Sequence, residues 1–593
     1  MEKEENAFGA RLSALRRAAH MTQAALGRHF GVTCKAVSRW ETGESEPPLS
    51  YLPRLSALLS VSVDALLGTV PQGGVDSAEE GRSPAALSAL PRKKHTGGNL
   101  MHWNFIPEEP CFHGGYLCTW ALQQAVADAE HLPGSGTVRQ RDVMDEKHLF
   151  GENSRYHTLS PRVRGDVCFL LDDGWDVPYG TTAAGRIEDG CIAMFGSLEA
   201  DGGKFPSFGR TPQERLCRLS AEIRKLGYAG LGLWVSPQRP FYQGDERGDE
   251  AGARAYWEAR ARESEAAGVR YWKVDWGLCS EYSDYRAWMT DAVRRAAPHL
   301  LIEHAVGQGP YTGVRSPDEP AAAAMRTLLA ISDYFRTYDV MAPFADSATI
   351  CRVDAILRRF DAAALRPDCA GYLNVEGRAA VAAGLGCTIG IMRPSPAAEA
   401  CLRWQRIAPP ISVRDVSYAC SEERLTDSYY FTADPIWWLP YAGKDYDISA
   451  PAVMARGTRL PQVVCDGLRP FVLASENPHN GAYAVSALRR TVDPNAMMIA
   501  PASVTIYPSR FDAPIGVFGY YDKLTVEYPA PIPERCTVFA QALTSDCAEI
   551  ITDAVKISGN RMEIDGRVLR YHGLAAHGEG NTHDPALLLL LRR

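Results

Sequence analysis

The chain predicts three folded parts in series: a small all-α domain, a central (β/α)8 TIM barrel and a C-terminal all-β sandwich. Three observations predict this. Apolar residues recur at helical spacing in short blocks between Phe8 and Gly68. From about residue 100 to 404, short apolar runs alternate with helical stretches. Beyond Ala408 the rhythm becomes strand-like alternation broken by Pro, Gly, Asn and Asp. At roughly 150 residues per domain, 593 residues are too many for one core.

In the first part, Leu12, Leu15 and Ala19 mark one helical face, Ala25, Leu26 and Phe30 a second, and Val37 and Trp40 a third. Leu52, Leu55, Leu58 and Leu59 follow, then Val63, Leu66 and Leu67. Thr22, Thr33, Ser50 and Ser62 stand where N-caps are needed, so residues 1–69 predict five short helices. Residues 70–98 hold five Gly and three Pro and show no period, which predicts a flexible linker. As a coil it would span on the order of 30 Å.

In residues 99–408 the predicted strands are 116–120, 167–171, 229–235, 269–276, 300–305, 333–339, 371–374 and 388–392. Helical stretches such as 212–226, 250–267 and 283–297 lie between them. Eight such units over about 300 residues have the size and rhythm of a barrel. A doubly wound sheet is the alternative, but no Gly-rich phosphate turn follows the first strand. Residues 409–593 contain Phe471–Ser475, Gly481–Leu488, Ser503–Tyr507 and Lys523–Tyr528, read as strands of a β-sandwich.

Composition narrows the function classes. With 46% hydrophobic, 23% charged and 9% aromatic residues, disordered, collagen-like and mucin-like chains are excluded. Lys+Arg 63 against Asp+Glu 71 leaves a net charge of −8, against a chain coated for non-specific nucleic-acid binding. The fifteen cysteines, odd in number and without a CxxC pair, suit a reducing compartment and predict neither a disulfide framework nor a zinc site. The N-terminal MEKEENAF has no apolar signal core, and the longest Leu run, Leu587–Leu591, falls far short of the ~20 residues that span a bilayer. A cytoplasmic protein with no membrane partner, no metal and no cofactor is expected.

Four segments place carboxylates and aromatics at predicted strand C-termini, where barrel active sites lie. They are Leu171-Asp172-Asp173-Gly174-Trp175, Trp272-Lys273-Val274-Asp275-Trp276, Leu301-Ile302-Glu303-His304 and Phe335-Arg336-Thr337-Tyr338-Asp339. Lys273 and Asp275, two apart, point the same way from a strand. One such Asp alone would read as a cap or an ion pair; four segments in barrel order point to a site.

From Met21 to Gly68 the chain resembles the Cro/CI-type helix-turn-helix family. The matching residues are Thr22-Gln23 opening the second helix, Gly31 at the turn, Val37-Ser38-Arg39-Trp40-Glu41 in the third, Gly43 after it, and Pro47. The resemblance implies that Thr33, Cys34, Lys35, Ser38 and Arg39 face operator DNA, with Gln23 on a phosphate, and that the reader works as a homodimer or higher homo-oligomer. It also implies a salt bridge between Arg16 and Glu41. Eight basic and seven acidic residues over 1–70 make the footprint local. A helical protein-interaction domain is the competing reading.

From Thr119 to Arg393 the chain resembles the retaining α-galactosidases and α-N-acetylgalactosaminidases of glycoside hydrolase families 27 and 36. The resemblance rests on Thr119-Trp120, DDGW, GKFPSF at Gly203–Phe208, Gly230-Leu-Gly-Leu-Trp-Val235, KVDW, IEHAVGQG and FRTYD. It implies that Asp275 is the nucleophile and Asp339 the general acid/base. It implies sugar-hydroxyl contacts from Asp172, Asp173 and Lys273, apolar walls from Trp120, Trp175 and Trp234, and Glu303 and Arg336 near the 2-substituent. The substrate would be an α-galactoside or related sugar. The chain departs from family 36 in His304-Ala-Val-Gly-Gln-Gly309, where that family has a Cys and a Gly-rich run, and in lacking its large N-terminal β domain. Two functions compete: an enzyme carrying a DNA reader, or a transcription regulator whose barrel senses an α-galactoside without turnover.

Overall fold

The computed structural model describes residues 7–18, 21–23, 26, 32–42, 45, 47, 51 and 55 in the N-terminal region. From residue 103 onward it describes all but 134–136, 178–195, 240–247, 276, 278, 281, 306–319, 338–345, 426–448, 489, 494–495, 499–500 and 575–583. The chain divides into two compact units, Met1–Arg92 and Lys93–Arg593. The predicted linker, 70–98, lies outside the described residues.

In the first unit, helices α1 (Ala7–Ala18) and α2 (Cys34–Thr42) are described. Leu12, Leu26, Val37, Trp40 and Leu55 close its small core. Thr33 caps α2: its hydroxyl accepts from the backbone N–H of Ala36 at 3.3 Å.

In the second unit, eight parallel strands close a barrel in sequence order. They are β1 (Gly115–Cys118), β2 (Val167–Leu171), β3 (Gly230–Val235), β4 (Val269–Val274), β5 (Leu301–Ala305), β6 (Tyr334–Arg336), β7 (Tyr372–Glu376) and β8 (Thr388–Ile391). β1 pairs with β8, placing Tyr116 opposite Gly390 and completing the ring. Helices α3 (Trp120–Ala129), α4 (Pro212–Lys225), α5 (Glu250–Ala266), α6 (Ser283–Ala296), α7 (Pro320–Ala330), α8 (Asp346–Arg359), α9 (Ala379–Leu385) and α10 (Pro396–Gln405) alternate with the strands. α4 begins with a complete capping box, Thr211 and Glu214 each bonding the other's backbone, with Pro212 in the first turn.

Several strand ends differ from the sequence reading by one to three residues, and at two of them the physical cause is plain. Trp120 opens α3 rather than ending β1, because Thr119 is already helical in backbone and its carbonyl accepts from Gln123 N. β7 runs on past Asn374 to Glu376, because Val375 packs outward into the helical shell while Asn374 and Glu376 find partners inside the barrel.

The β domain is a sandwich of two sheets. The larger has eight strands in the spatial order 549–550, 537–542, 586–592, 515–519, 483–488, 471–476, 453–456 and 418–420. The smaller has five, in the order 462–464, 502–506, 521–527, 561–565 and 555–558. Three of their pairings are parallel: Val453 with Val472, Tyr483 with Ile515, and Val504 with Leu524. The central strands of the larger sheet are buried along their length because the smaller sheet covers one face and barrel helices cover the other. At that seam Arg456 donates to the Leu385 carbonyl at 2.8 Å and to Ile411 and Ser412 at 3.0 Å. Gly384 has no room for a side chain, since a Cβ would lie 2.6 Å from the Ser486 hydroxyl. The Leu587–Leu591 run is a core strand of this sheet. Among the described residues, no helix is long and apolar enough to cross a membrane.

Candidate functional site

Strand alternation determines which side chains enter the barrel. Trp234, Lys273, Glu303 and Tyr334 lie side by side in register on β3 to β6, and Ala305, Arg336 and Asn374 on β5 to β7. A cluster of Tyr116, Cys118, Cys168, Leu170, Tyr271 and Tyr334 fills the interior, so charged groups gather above a packed floor rather than in an open channel.

Asp275 follows β4 directly, its amide donating to the Val235 carbonyl at 3.0 Å. Its carboxylate accepts from Arg336 Nη2 at 2.6 Å and from Trp234 Nε1 at 3.0 Å, and its side chain stays 14% exposed. The guanidinium of Arg286 on α6 donates to the carbonyls of Asp275 and Ala305, both at 2.6 Å, tying the ends of β4 and β5 together. Burial pushes the Asp275 carboxyl up, but Arg336, Lys273 and the two hydrogen bonds outweigh it and hold the group below the usual carboxylate range. It is therefore an oriented, ionised carboxylate at the C-terminal face of the barrel.

Lys273 is 1% exposed and sits 3.0 Å from Asp172, 3.2 Å from Glu376 and 3.6 Å from the Cys118 sulfur. Its three ammonium donors thus have three partners. Arg336 pairs with Asp275, Glu303 at 3.3 Å and Glu376 at 3.4 Å. Glu303 lies beneath, accepting from Tyr271 at 2.8 Å, Tyr116 at 3.2 Å and the Asn374 amide. Burial pushes Glu303 up to about 7, against the pull of Arg336.

Asp172, Trp234, Lys273, Asp275, Glu303 and Arg336 are thus brought together. Three other residues singled out in the sequence lie apart from that cluster. Asp173 turns to Arg141, with contacts of 2.5 and 3.1 Å. Trp175 is fully buried in the shell between barrel and helices. Trp120 is half-buried at the start of α3, packed on the interior cluster. Asp339 lies outside the described residues, as do Trp276 and Tyr338. The sequence reading missed Glu376, Asn374, Tyr116, Tyr271, Cys118 and Arg286. A signal for two of them was present: Asn374 and Glu376 repeat the two-residue spacing that marked Lys273 and Asp275.

In the N-terminal unit, Arg16 and Glu41 form the expected ion pair, with contacts of 2.5 and 3.0 Å. Ser13 at 3.1 Å and Gln23 at 2.8 Å also donate to Glu41, so one amide hydrogen of Gln23 is turned inward. Cys34, Lys35 and Arg39 are exposed on α2 and Ser38 is half-buried beside them. The exposed Thr33 uses its hydroxyl as the α2 cap.

Residues 7–67 match a family model described as a helix-turn-helix domain. No curated protein matches the chain. Among solved structures, it is similar to a GH27 β-L-arabinopyranosidase from Geobacillus stearothermophilus, at 9% identity over 82% of this chain and 96% of that one, with a TM-score of 0.33. A proposed α-galactosidase/melibiase from Bacteroides fragilis shows 11% identity over 82% and 80% of the two chains, with a TM-score of 0.32. The chain spans only 32% of an amine oxidase from Pseudomonas geniculata, at 13% identity over 28% of this chain with a TM-score of 0.21.

Proposed function

We propose that the barrel is a retaining α-glycosidase of α-galactosidase type, joined to a helix-turn-helix unit that reads operator DNA. The observation that carries the catalytic part is Asp275, a partly exposed carboxylate aimed by Trp234 and Arg336 and kept ionised at the barrel's C-terminal face. An ionised carboxylate held at a fixed aim is what attack at a single carbon atom needs. In this reading Asp275 attacks the anomeric carbon while Asp339 donates a proton to the leaving oxygen. Asp339 then activates the water that releases the sugar with retained configuration. Asp172 receives sugar hydroxyls, Glu303 and Arg336 lie toward the 2-substituent, and Trp120 and Trp234 supply apolar walls; Asp173, held by Arg141, and the fully buried Trp175 take no part in sugar contact. Lys273 holds Asp172 in place.

The helix-turn-helix match supports a second reading, a regulator that binds an α-galactoside without turnover. A panel of chromogenic α-glycosides, tested on the wild type and on Asp275→Asn, separates the two. The enzyme reading expects α-galactoside hydrolysis that falls by ~1,000-fold or more in the variant; binding without hydrolysis in the wild type selects the sensor. For DNA, selection from random sequence should return an enriched repeated or palindromic site. Arg39→Ala should weaken binding to it by roughly 1–3 kcal/mol. No enriched sequence would refute the DNA assignment.

A further inference from the structure

Five charged side chains run across the barrel mouth in alternating sign: Asp172, Lys273, Glu376, Arg336 and Asp275. The contacts along the string are 3.0, 3.2, 3.4 and 2.6 Å. Glu376 is its middle member and touches both cations. A fully buried carboxylate is costly unless ion pairs and hydrogen bonds replace its water. Here Lys273 comes from β4, Arg336 from β6, and the Tyr116 hydroxyl donates from β1. Room for this arrangement depends on Gly390: a Cβ there would lie 2.7 Å from the Tyr116 ring and 2.8 Å from Glu376 Cγ.

We propose that Glu376 is a positioning residue of the reaction, fixing Lys273 against Asp172 and Arg336 against Asp275, so that one carboxylate sets both the recognition end and the nucleophile end of the site. This rests on the reading of Asp275 as nucleophile. Without the charge on Glu376, Lys273 and Arg336 would face each other with no negative charge between them. Arg336 would then move more fully onto Asp275, and a more strongly paired carboxylate is a weaker nucleophile. The charged and titratable groups around Glu376 are Tyr116, Cys118, Lys273, Arg336 and Asp275, with Glu303 sharing Tyr116 and Arg336. Burial pushes Glu376 up, and Lys273, then Arg336, outweigh it, so it remains ionised.

The test compares the full-length wild type with Glu376→Gln and Glu376→Asp on an aryl α-galactoside whose good leaving group needs little proton donation. Glu376→Gln should lower kcat by about 10- to 100-fold with a smaller rise in KM, since the nucleophile end is misaligned and the recognition end only loosened. Removing a neighbouring negative charge should also move the acid limb of kcat/KM to lower pH by about half a unit or more. Glu376→Asp keeps the charge and should recover most of kcat and the original limb. Unchanged kcat and limb in Glu376→Gln, or an equal loss in both variants, would overturn the proposal. Crystal structures of wild type and Glu376→Gln decide it even if the wild type turns over no glycoside, an outcome that would sink the nucleophile reading alone. The contact between Arg336 and side chain 376 should open beyond ~4 Å as Arg336 closes on Asp275; an unmoved Arg336 refutes the positioning role.

Discussion

Burial raises the carboxylates inside the barrel, and at two of them the neighbouring cations outweigh it. Asp275 and Glu376 have Arg336 and Lys273 beside them and stay below the usual carboxylate range. Asp173 is pushed up to about 6 by burial, partly offset by Arg141, and Asp176 up to about 7, partly offset by the amides of Leu198 and Gly196. Asp176 Oδ2 accepts from those two amides at 2.9 Å each, while Oδ1, although buried, has no hydrogen-bond partner among the described residues. A folded-state pKa above the unfolded value means that the folded state binds the proton more tightly. The contribution of Asp176 to stability is therefore fully present in acid and is lost as pH rises through about 7. Asp176→Asn keeps an acceptor for both amides and removes the titration. The melting temperature of the wild type minus that of the variant should fall between about pH 5 and pH 8; a difference that does not change with pH contradicts the assignment.

Among the elements, helix α2 depends on a single buried carboxylate. Glu41 is 6% exposed at its side chain and receives Arg16, Gln23 and Ser13 together, tying α1 to the end of α2. Glu41→Ala would leave the Arg16 guanidinium buried without its carboxylate, a loss of about 3–5 kcal/mol in a unit with a small core. Amide exchange in the full-length chain should show α1 and α2 losing protection in Glu41→Ala and keeping it in Lys35→Ala; retained protection in both would show the ion pair to be dispensable. This pair was legible in the sequence because the family resemblance fixes which residues meet. The barrel was legible from eight apolar runs, and Lys273 with Asp275 from their spacing on one strand. Glu376 carried the same spacing signal but was masked, because Asn-Val-Glu-Gly at the end of β7 has the composition of a turn, and its partners come from β1, β4 and β6 only once the ring closes. The burial of Trp175 was not legible, since a tryptophan after two aspartates suits a sugar wall and a packed shell equally well.

At the scale of the molecule, the proposed DNA reader and the proposed sugar site in one chain would have an evident use if sugar occupancy changed operator affinity. Residues 70–98 are rich in Gly and Pro, so coupling would have to act through the spacing of paired readers rather than through strain in the connection. Couplings of this kind are typically about 1–3 kcal/mol, or roughly 5- to 150-fold. Operator titrations of Asp275→Asn with and without saturating α-galactoside should differ by a factor in that range. Superimposable curves would leave a DNA tether for an independent enzyme. The catalytic reading itself requires a covalent glycosyl intermediate on Asp275, and trapping that intermediate is its most direct test. A ring-fluorinated α-galactosyl fluoride slows both displacement steps while its fluoride leaving group still departs, so a glycosyl-enzyme accumulates. Peptide mass spectrometry of the treated protein should show the added fluorosugar on the peptide carrying Asp275, and none in Asp275→Asn. An adduct on another carboxylate, or turnover that releases the inverted anomer with no adduct, would contradict the account.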